Sequence, residues 1–206
     1  MSLQQKLADG ITRLGLGFDA ATQQKLLDYL ALLEKWNKVH NLTAVRDPEE
    51  MVTLHLLDSL SVLPHIGTGR LLDVGSGAGL PGIVLALTRP DLHVTTMDAS
   101  HKKASFMRQA KAVLGLENLE VVCGRVEVFN PAQKFDMIIS RAFSEIAEFL
   151  RLTRHLLAED GVWLAMKGVY PHDELAKIEN VSTEVIELNV PGLEAQRHLV
   201  FLKVAQ

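Results

Sequence analysis

Residues 71 to 82, Leu-Leu-Asp-Val-Gly-Ser-Gly-Ala-Gly-Leu-Pro-Gly, constrain the fold more than any other stretch of this chain. A short apolar run with the pattern of a buried strand passes directly into a loop carrying glycine at 75, 77, 79 and 82. Glycine is required where the backbone takes positive φ or where a ligand comes closer than a Cβ permits. Pro81 suits the first turn of a helix, where a missing N–H costs nothing. Such a strand, turn and helix start leave free N–H groups facing an acceptor or anionic part of a ligand. Gly75, Gly77 and Gly79 are therefore candidate cofactor-binding residues.

Asp73, at the carboxyl end of the strand, selects the kind of ligand. A carboxylate just ahead of the first glycine repels a pyrophosphate, which a dinucleotide site would seat on the helix end. S-adenosyl-L-methionine brings an ammonium and a sulfonium instead, so Asp73 favours this methyl donor. The dinucleotide reading keeps a formal match in Gly77-Ala78-Gly79-Leu80-Pro81-Gly82, with Asp98 at the distance expected of a ribose-binding acid. Asp98 ends the next predicted strand and can accept both ribose hydroxyls, or cap the helix that starts near Ser100.

The pattern around the loop is a doubly organised chain. Leu26, Leu27, Leu30, Leu33, Trp36 and Val39 recur at three- and four-residue steps, which predicts a helix over 21–40. Asp47 is an N-cap for a second helix, with Pro48 at its first position, Glu50 placed to reach back, and an apolar face from Met51 to Leu63. Strands then alternate with helices: 70–74, 93–98, 119–123, 135–140 and 162–167, with helices between these five, followed by strands 183–190 and 198–204. The link 191–197 is too short for a helical crossover, so the last two strands form an antiparallel hairpin. The expectation is an α/β fold of Rossmann-like methyltransferase type: a seven-stranded, mostly parallel sheet in residues 67–206, with a helical extension in 1–66.

Composition excludes several classes. At 206 residues and 48% hydrophobic, the chain can bury a full core without metals or disulfides, and its single cysteine, Cys123, reads as a buried strand residue. No stretch reaches the length of a membrane span and Met1 to Lys6 lacks a secretion pattern, so a cytoplasmic protein is expected. A net charge of −4 argues against nucleic-acid binding by bulk electrostatics. An RNA role rests on local patches: Lys102, Lys103, Arg108 and Lys111; Arg151, Arg154 and His155; Arg197 and His198.

Loops after the first four strands converge at one sheet edge. Gly124-Arg125-Val126-Glu127 follows the third strand, where a backbone amide and a side chain could frame an adenine. Arg141 follows the fourth, nearest a methyl group to be transferred; it suits a phosphate, a carboxylate or a base carbonyl, and an ion pair with Glu127 or Glu145 is the structural alternative. Lys167 and Gly168 end the fifth strand beside the same cleft. The eight histidines show no metal-ligand spacing, and no covalent nucleophile motif is present.

With these residues in place, the chain resembles the bacterial 16S ribosomal RNA guanine-N7 methyltransferase family, also called glucose-inhibited division protein B. The resemblance runs nearly end to end. It rests on Trp36-Asn37-Lys38 with Asn41-Leu42-Thr43, His55-x-x-Asp58-Ser59, Asp73 through Gly82, Arg125-x-Glu127, Ser140-Arg141-Ala142, Lys167-Gly168 and Arg197-His198. It implies a donor site from Gly75, Leu80, Val126, Glu127 and Arg141, and a target guanine N7 in the small-subunit RNA near the decoding region, where streptomycin acts. Arg125, Arg141 and Lys167 are positioning candidates, and Lys102, Lys103, Arg125, Lys167 and Arg197 are RNA-binding candidates. The partner implied is 16S rRNA within the small subunit, met by a monomer without a metal. Ala99-Ser100-His101 departs from the serine that more often follows the acid in relatives, which touches only the local cap. Two other classes stay open: a small-molecule methyltransferase, disfavoured by an aromatic content of 5%, and a non-catalytic nucleotide- or RNA-binding module.

Overall fold

The computed structural model describes residues 1–205. Two helices open the chain, α1 (Leu3–Arg13) and α2 (Ala20–His40). Ser2 and Gln5 close a reciprocal capping box at the start of α1, and Asp19 caps α2 by accepting from the Thr22 N–H. Asn41, at φ 50°, ends α2 in the left-handed conformation that asparagine tolerates.

The next segment departs from the single helix expected over 48–63. Asp47 does cap α3 (Pro48–Met51), accepting from the Glu49 N–H at 2.9 Å. The chain then widens into a π turn (Val52–Leu57), returns to α-helix in α4 (Asp58–Leu60) and closes with a 3₁₀ turn (Leu63–His65). This segment is buried on nearly every side, so Thr53, His55, Asp58 and Ser59 are buried with it. Hydrophobic spacing specifies which residues are covered, not which carbonyl each N–H meets.

Seven strands follow: β1 (Arg70–Val74), β2 (His93–Asp98), β3 (Leu119–Cys123), β4 (Phe135–Ser140), β5 (Leu157–Lys167), β6 (Val181–Glu187) and β7 (His198–Val204). Their order is β3-β2-β1-β4-β5-β7-β6, parallel from β3 to β5 and antiparallel for β7 and β6. Helices α5 (Gly82–Thr88), α6 (His101–Leu114), α7 (Ile146–Thr153) and α8 (His172–Leu175) fill four of the six connections, and β6 runs to β7 through a link without a helix. Between β3 and β4 lies only a 3₁₀ turn (Val126–Val128), because Asn130-Pro131 follows before a full helix can form. β5 begins earlier than expected, at Leu157, which pairs with Phe135 across an irregularity in the register.

Alternation along β1 divides the core in two. Leu71 faces a cluster shared by α2, α5 and α6, with Leu26, Leu30, Leu33, Ile83, Val84 and Phe106. Leu72 and Val74 face a second cluster on the opposite side, built with Phe149, Leu156 and Trp163. The N-terminal helices therefore cover the α5/α6 face, and Asp73, in step with Leu71, points toward them.

Candidate functional site

The carboxyl ends of β1, β2 and β3 open onto a cavity of about 320 Å³ lined by Val74, Gly75, Met97, Asp98, Ala99, Gly124, Arg125, Val126, Glu127, Phe143 and Leu152. The glycine loop forms its floor. Gly75, Gly77 and Gly79 have φ of 68°, 61° and 88°, a backbone path that L side chains rarely follow. At Gly75 a Cβ would also lie 2.8 Å from the Ala142 Cβ, so glycine alone leaves this floor clear.

Asp98 organises the rim. Its Oδ2 accepts the Gly77 N–H at 3.0 Å and its Oδ1 accepts the Ser100 N–H at 2.9 Å, while Ser100 is the N-cap of α6. A carboxylate has about four lone-pair sites, so two remain for ligand hydroxyls. The α6 cap is thus Ser100 and not Asp98, which leaves those acceptor sites uncommitted. Opposite, Arg125 and Glu127 pair at 3.0 Å on the exposed lip, with Val126 buried between them. That hydrogen bond raises the Arg125 pKa and lowers that of Glu127.

Asp73 occupies a different place from the one its sequence position suggests. It is fully buried and does not line the cavity. Its Oδ2 accepts the Ser76 hydroxyl and the Gly82 N–H, so it ties the start of the glycine loop to the start of α5, where Pro81 is the N-cap. Burial pushes its pKa up to about 7, against the lowering effect of these hydrogen bonds and of Arg141. The expectation that its charge faces the ligand directly is corrected: Asp73 shapes the loop from behind.

Three cationic candidates are also redirected. Arg141 turns away from the cavity to donate to Asp58 Oδ2 at 3.1 Å and to the Leu54 carbonyl at 3.3 Å. Its partner is neither Glu127 nor Glu145. Arg197 donates to the other oxygen of the same Asp58 at 3.0 Å, so one buried carboxylate holds two guanidinium groups. Lys167, with its side chain 11% exposed, donates to the Phe143 and Ser144 carbonyls and pairs with Glu174 at 2.9 Å. It pins the loop after β4 and has no free face for a phosphate or a guanine O6. Leu80 is 1% exposed in the α5/α6 core and does not line the cavity. Lys102 and Lys103 lie on the first turn of α6, beyond the rim.

The structure thus unites Gly75, Asp98, Arg125, Val126 and Glu127 in one cleft, with Gly77 and Gly79 in the loop beneath it. Sequence reasoning missed Phe143 and Leu152 as walls, and missed two residues of the helical segment that support the site. Tyr29, fully buried on α2, donates to the Ala78 carbonyl at 2.7 Å and so anchors the glycine loop. Burial raises the Tyr29 pKa far above its usual value, keeping the hydroxyl a donor. Asp58 is the other. The remaining polar residues of this segment form one network: the Asn37 side chain binds the Thr43 N–H and the Val45 carbonyl, and Thr43 Oγ1 lies 3.0 Å from His55 Nε2. Burial and the Arg141 charge lower the His55 pKa to about 4.

With this geometry established, likeness to known proteins is informative. Residues 22–200 match the family described as rRNA small subunit methyltransferase G. A ribosomal RNA small subunit methyltransferase G from Methylobacillus flagellatus is 69% identical over 99% of this chain and 100% of its own length. The protein of the same name from Laribacter hongkongensis is 56% identical over 98% of this chain and 99% of its own. Among solved structures, a SAM-dependent methyltransferase from Aquifex aeolicus shares the fold with a TM-score of 0.59 at 21% identity, covering 82% of this chain and 97% of that one. A glycine loop held by Asp73, an acid at the end of β2 and matches across 22–200 lead to one assignment: the chain belongs to the rRNA small subunit methyltransferase G family.

Proposed function

We propose that this rRNA methyltransferase transfers a methyl group from S-adenosyl-L-methionine to N7 of one guanine in 16S rRNA, near the decoding region of the small subunit. The observation that carries the reading is the cleft at the ends of β1, β2 and β3, with a glycine floor and a carboxylate at the rim. It fits the donor: Gly75 leaves backbone room, Asp98 retains acceptor sites for ribose hydroxyls, and Val126 with Glu127 frames the far wall where an adenine would lie. The bound donor supplies an electrophilic methyl on a sulfonium.

The chain's own residues then need only position and exclude water. Guanine N7 carries an unprotonated lone pair, so in-line attack requires no general base, and orientation with preorganised charge supplies the rate. Phe143 and Leu152 close the apolar side of the cleft. Lys167 fixes the Phe143 and Ser144 carbonyls and thereby the loop bordering the acceptor side. Any arginine contact to the target must spare N7, since the usual fork to O6 and N7 would block the reacting nitrogen. In this reading 67–206 form the methyltransferase domain and 1–66 the helical extension, working as a cytoplasmic monomer on 16S rRNA held in the small subunit. Small subunits lacking the modification, incubated with labelled methyl donor and mapped by mass, test the proposal. Label on another base, or on a guanine atom other than N7, overturns it.

A further inference from the structure

Two stretches of this acidic chain hold seven cations and no carboxylate: residues 35–46, with Lys35, Lys38 and Arg46, and residues 99–116, with Lys102, Lys103, Arg108 and Lys111. The fold brings them side by side. Trp36 of α2 meets Phe106 of α6 edge to face, with ring centroids 5.6 Å apart, and Tyr29 meets the same Phe106 at 6.1 Å. Among the described residues, only Lys38 of the seven has a carboxylate within ion-pair distance, Glu34 one helical turn back, and its side chain is still 71% exposed.

The loop that leaves α2 is held stiffly. The Asn37 side chain bonds on both sides of it, Thr43 bonds to His55, and the Arg46 guanidinium donates to Asn41 Oδ1 at 2.9 Å, leaving its other N–H groups outward. Leu54, the neighbour of His55, offers its carbonyl to Arg141, next to the Ala142 that packs against Gly75, so this loop is tied to the segment that follows β4. Val39 lies 73% exposed between Lys38 and His40.

We propose that the C-terminal end of α2 and the loop to Arg46 form a phosphate-contacting surface for the RNA strand that carries the target base, continued by the cations of α6. Lys35, Lys38 and Arg46 are its first contacts. A polyanion meets here seven charges that are almost free of internal partners, so binding breaks few existing ion pairs. The surface gives a chain of net charge −4 a place to hold RNA, since two stretches with cations and no carboxylate pack against each other. This inference rests on the rRNA reading above.

The test is a variant carrying Lys35→Gln, Lys38→Gln and Arg46→Gln, with Arg46→Gln alone beside it. RNA affinity is measured by fluorescence anisotropy over a salt series, for protein-free 16S rRNA and for small subunits, with donor affinity by calorimetry. Each lost phosphate contact should lower the slope of log affinity against log salt by about 0.7 to 0.9, so the triple variant should lose about two units and bind roughly tenfold to hundredfold more weakly near 0.1 M salt. Donor affinity should stay at the wild-type value. A wild-type slope in the triple variant overturns the proposal, as does a loss confined to small subunits, which would make the surface a contact for a ribosomal protein. Wild-type chain that binds RNA but transfers no methyl group would remove the functional reading instead, while the slopes would still decide the surface.

Discussion

Replacing Asp58 by alanine removes the one carboxylate that holds Arg141 and Arg197 together. Asp58 is 3% exposed, and each of its oxygens takes one guanidinium N–H, at 3.1 Å from Arg141 and 3.0 Å from Arg197. Charge-assisted hydrogen bonds of this kind contribute about 1.5 to 3 kcal/mol each, and breaking a buried pair costs more than its formation gains because a charge is left behind. Both arginine side chains remain just over a quarter exposed, so water recovers part of the loss. A net destabilisation of about 2 to 4 kcal/mol follows. For a chain of this size that lowers Tm by roughly 5 to 12 °C.

The assay is calorimetric melting of wild type, Asp58→Ala and Asp58→Asn at low and high salt. Asparagine keeps the volume and one acceptor oxygen but turns an amide NH₂ toward a guanidinium, so it should recover at most half the loss. The deficit should persist at 0.5 M salt, since a carboxylate covered on all sides is screened much less than a surface pair. A melting point for Asp58→Ala within about 2 °C of wild type, or a deficit that vanishes in salt, would refute the reasoning and return the cluster to ordinary surface pairing.

Other outcomes can be checked as directly. Asp98→Ala should weaken donor binding by about 1.5 to 3 kcal/mol in calorimetry, and unchanged affinity in a folded variant would leave Asp98 only its bonds to Gly77 and Ser100. Tyr29→Phe should cost about 1 to 2 kcal/mol of donor affinity by leaving the Ala78 carbonyl without its donor, although Tyr29 touches no part of the cleft. His55, with its pKa lowered from 6.5 to about 4, contributes stability present above pH 6.5 and lost as pH falls toward 4; Asp73, raised from 3.8 to about 7, contributes stability present below pH 4 and lost as pH rises through 7. The two slopes oppose each other, so His55→Gln should make urea stability decline with rising pH between 4 and 7 where wild type is flatter, and parallel curves would exclude the assignment. Assembled small subunits should be methylated faster than protein-free RNA, and deleting the gene should give mild streptomycin resistance with loss of the mapped modification; full methylation in the deletion strain would point to another enzyme.

The sheet was legible because its strands are short apolar runs closed by turn residues, and β1 to β4 and β7 begin and end where those runs do. The cleft was legible for the same reason: strand order places the residues after β1, β2 and β3 side by side. The pairings of Arg141 and Arg197 were not. Arg141 finds its carboxylate 83 positions earlier and Arg197 finds the same one 139 positions earlier, and no local spacing records either pairing. Asp73 was read with the correct chain position and the wrong facing, because alternation along β1 depends on which side the α2 helix covers, and that is fixed by packing.

The same facing explains why the helical segment cannot be treated as an appendage in energetic terms. Leu26, Leu30 and Leu33 of α2 share one core with Ile83 and Val84 of α5 and Phe106 of α6, so cutting the chain near Gly67 would strip cover from both helices that flank the donor loop. Two polar anchors come from the segment: Tyr29 grips the glycine loop through the Ala78 carbonyl, and Asp58 grips Arg141, just after β4, and Arg197, just before β7. Between them run α2, the loop to Arg46 and the buried π turn, joined by the Asn37, Thr43 and His55 network. On the proposed reading, a strand of RNA on the loop to Arg46 would press on the same part of the fold that anchors the glycine loop through Tyr29. On that reading, binding energy gained at the surface would help hold guanine N7 in line with the methyl group, which is where a reaction without a general base has most to gain.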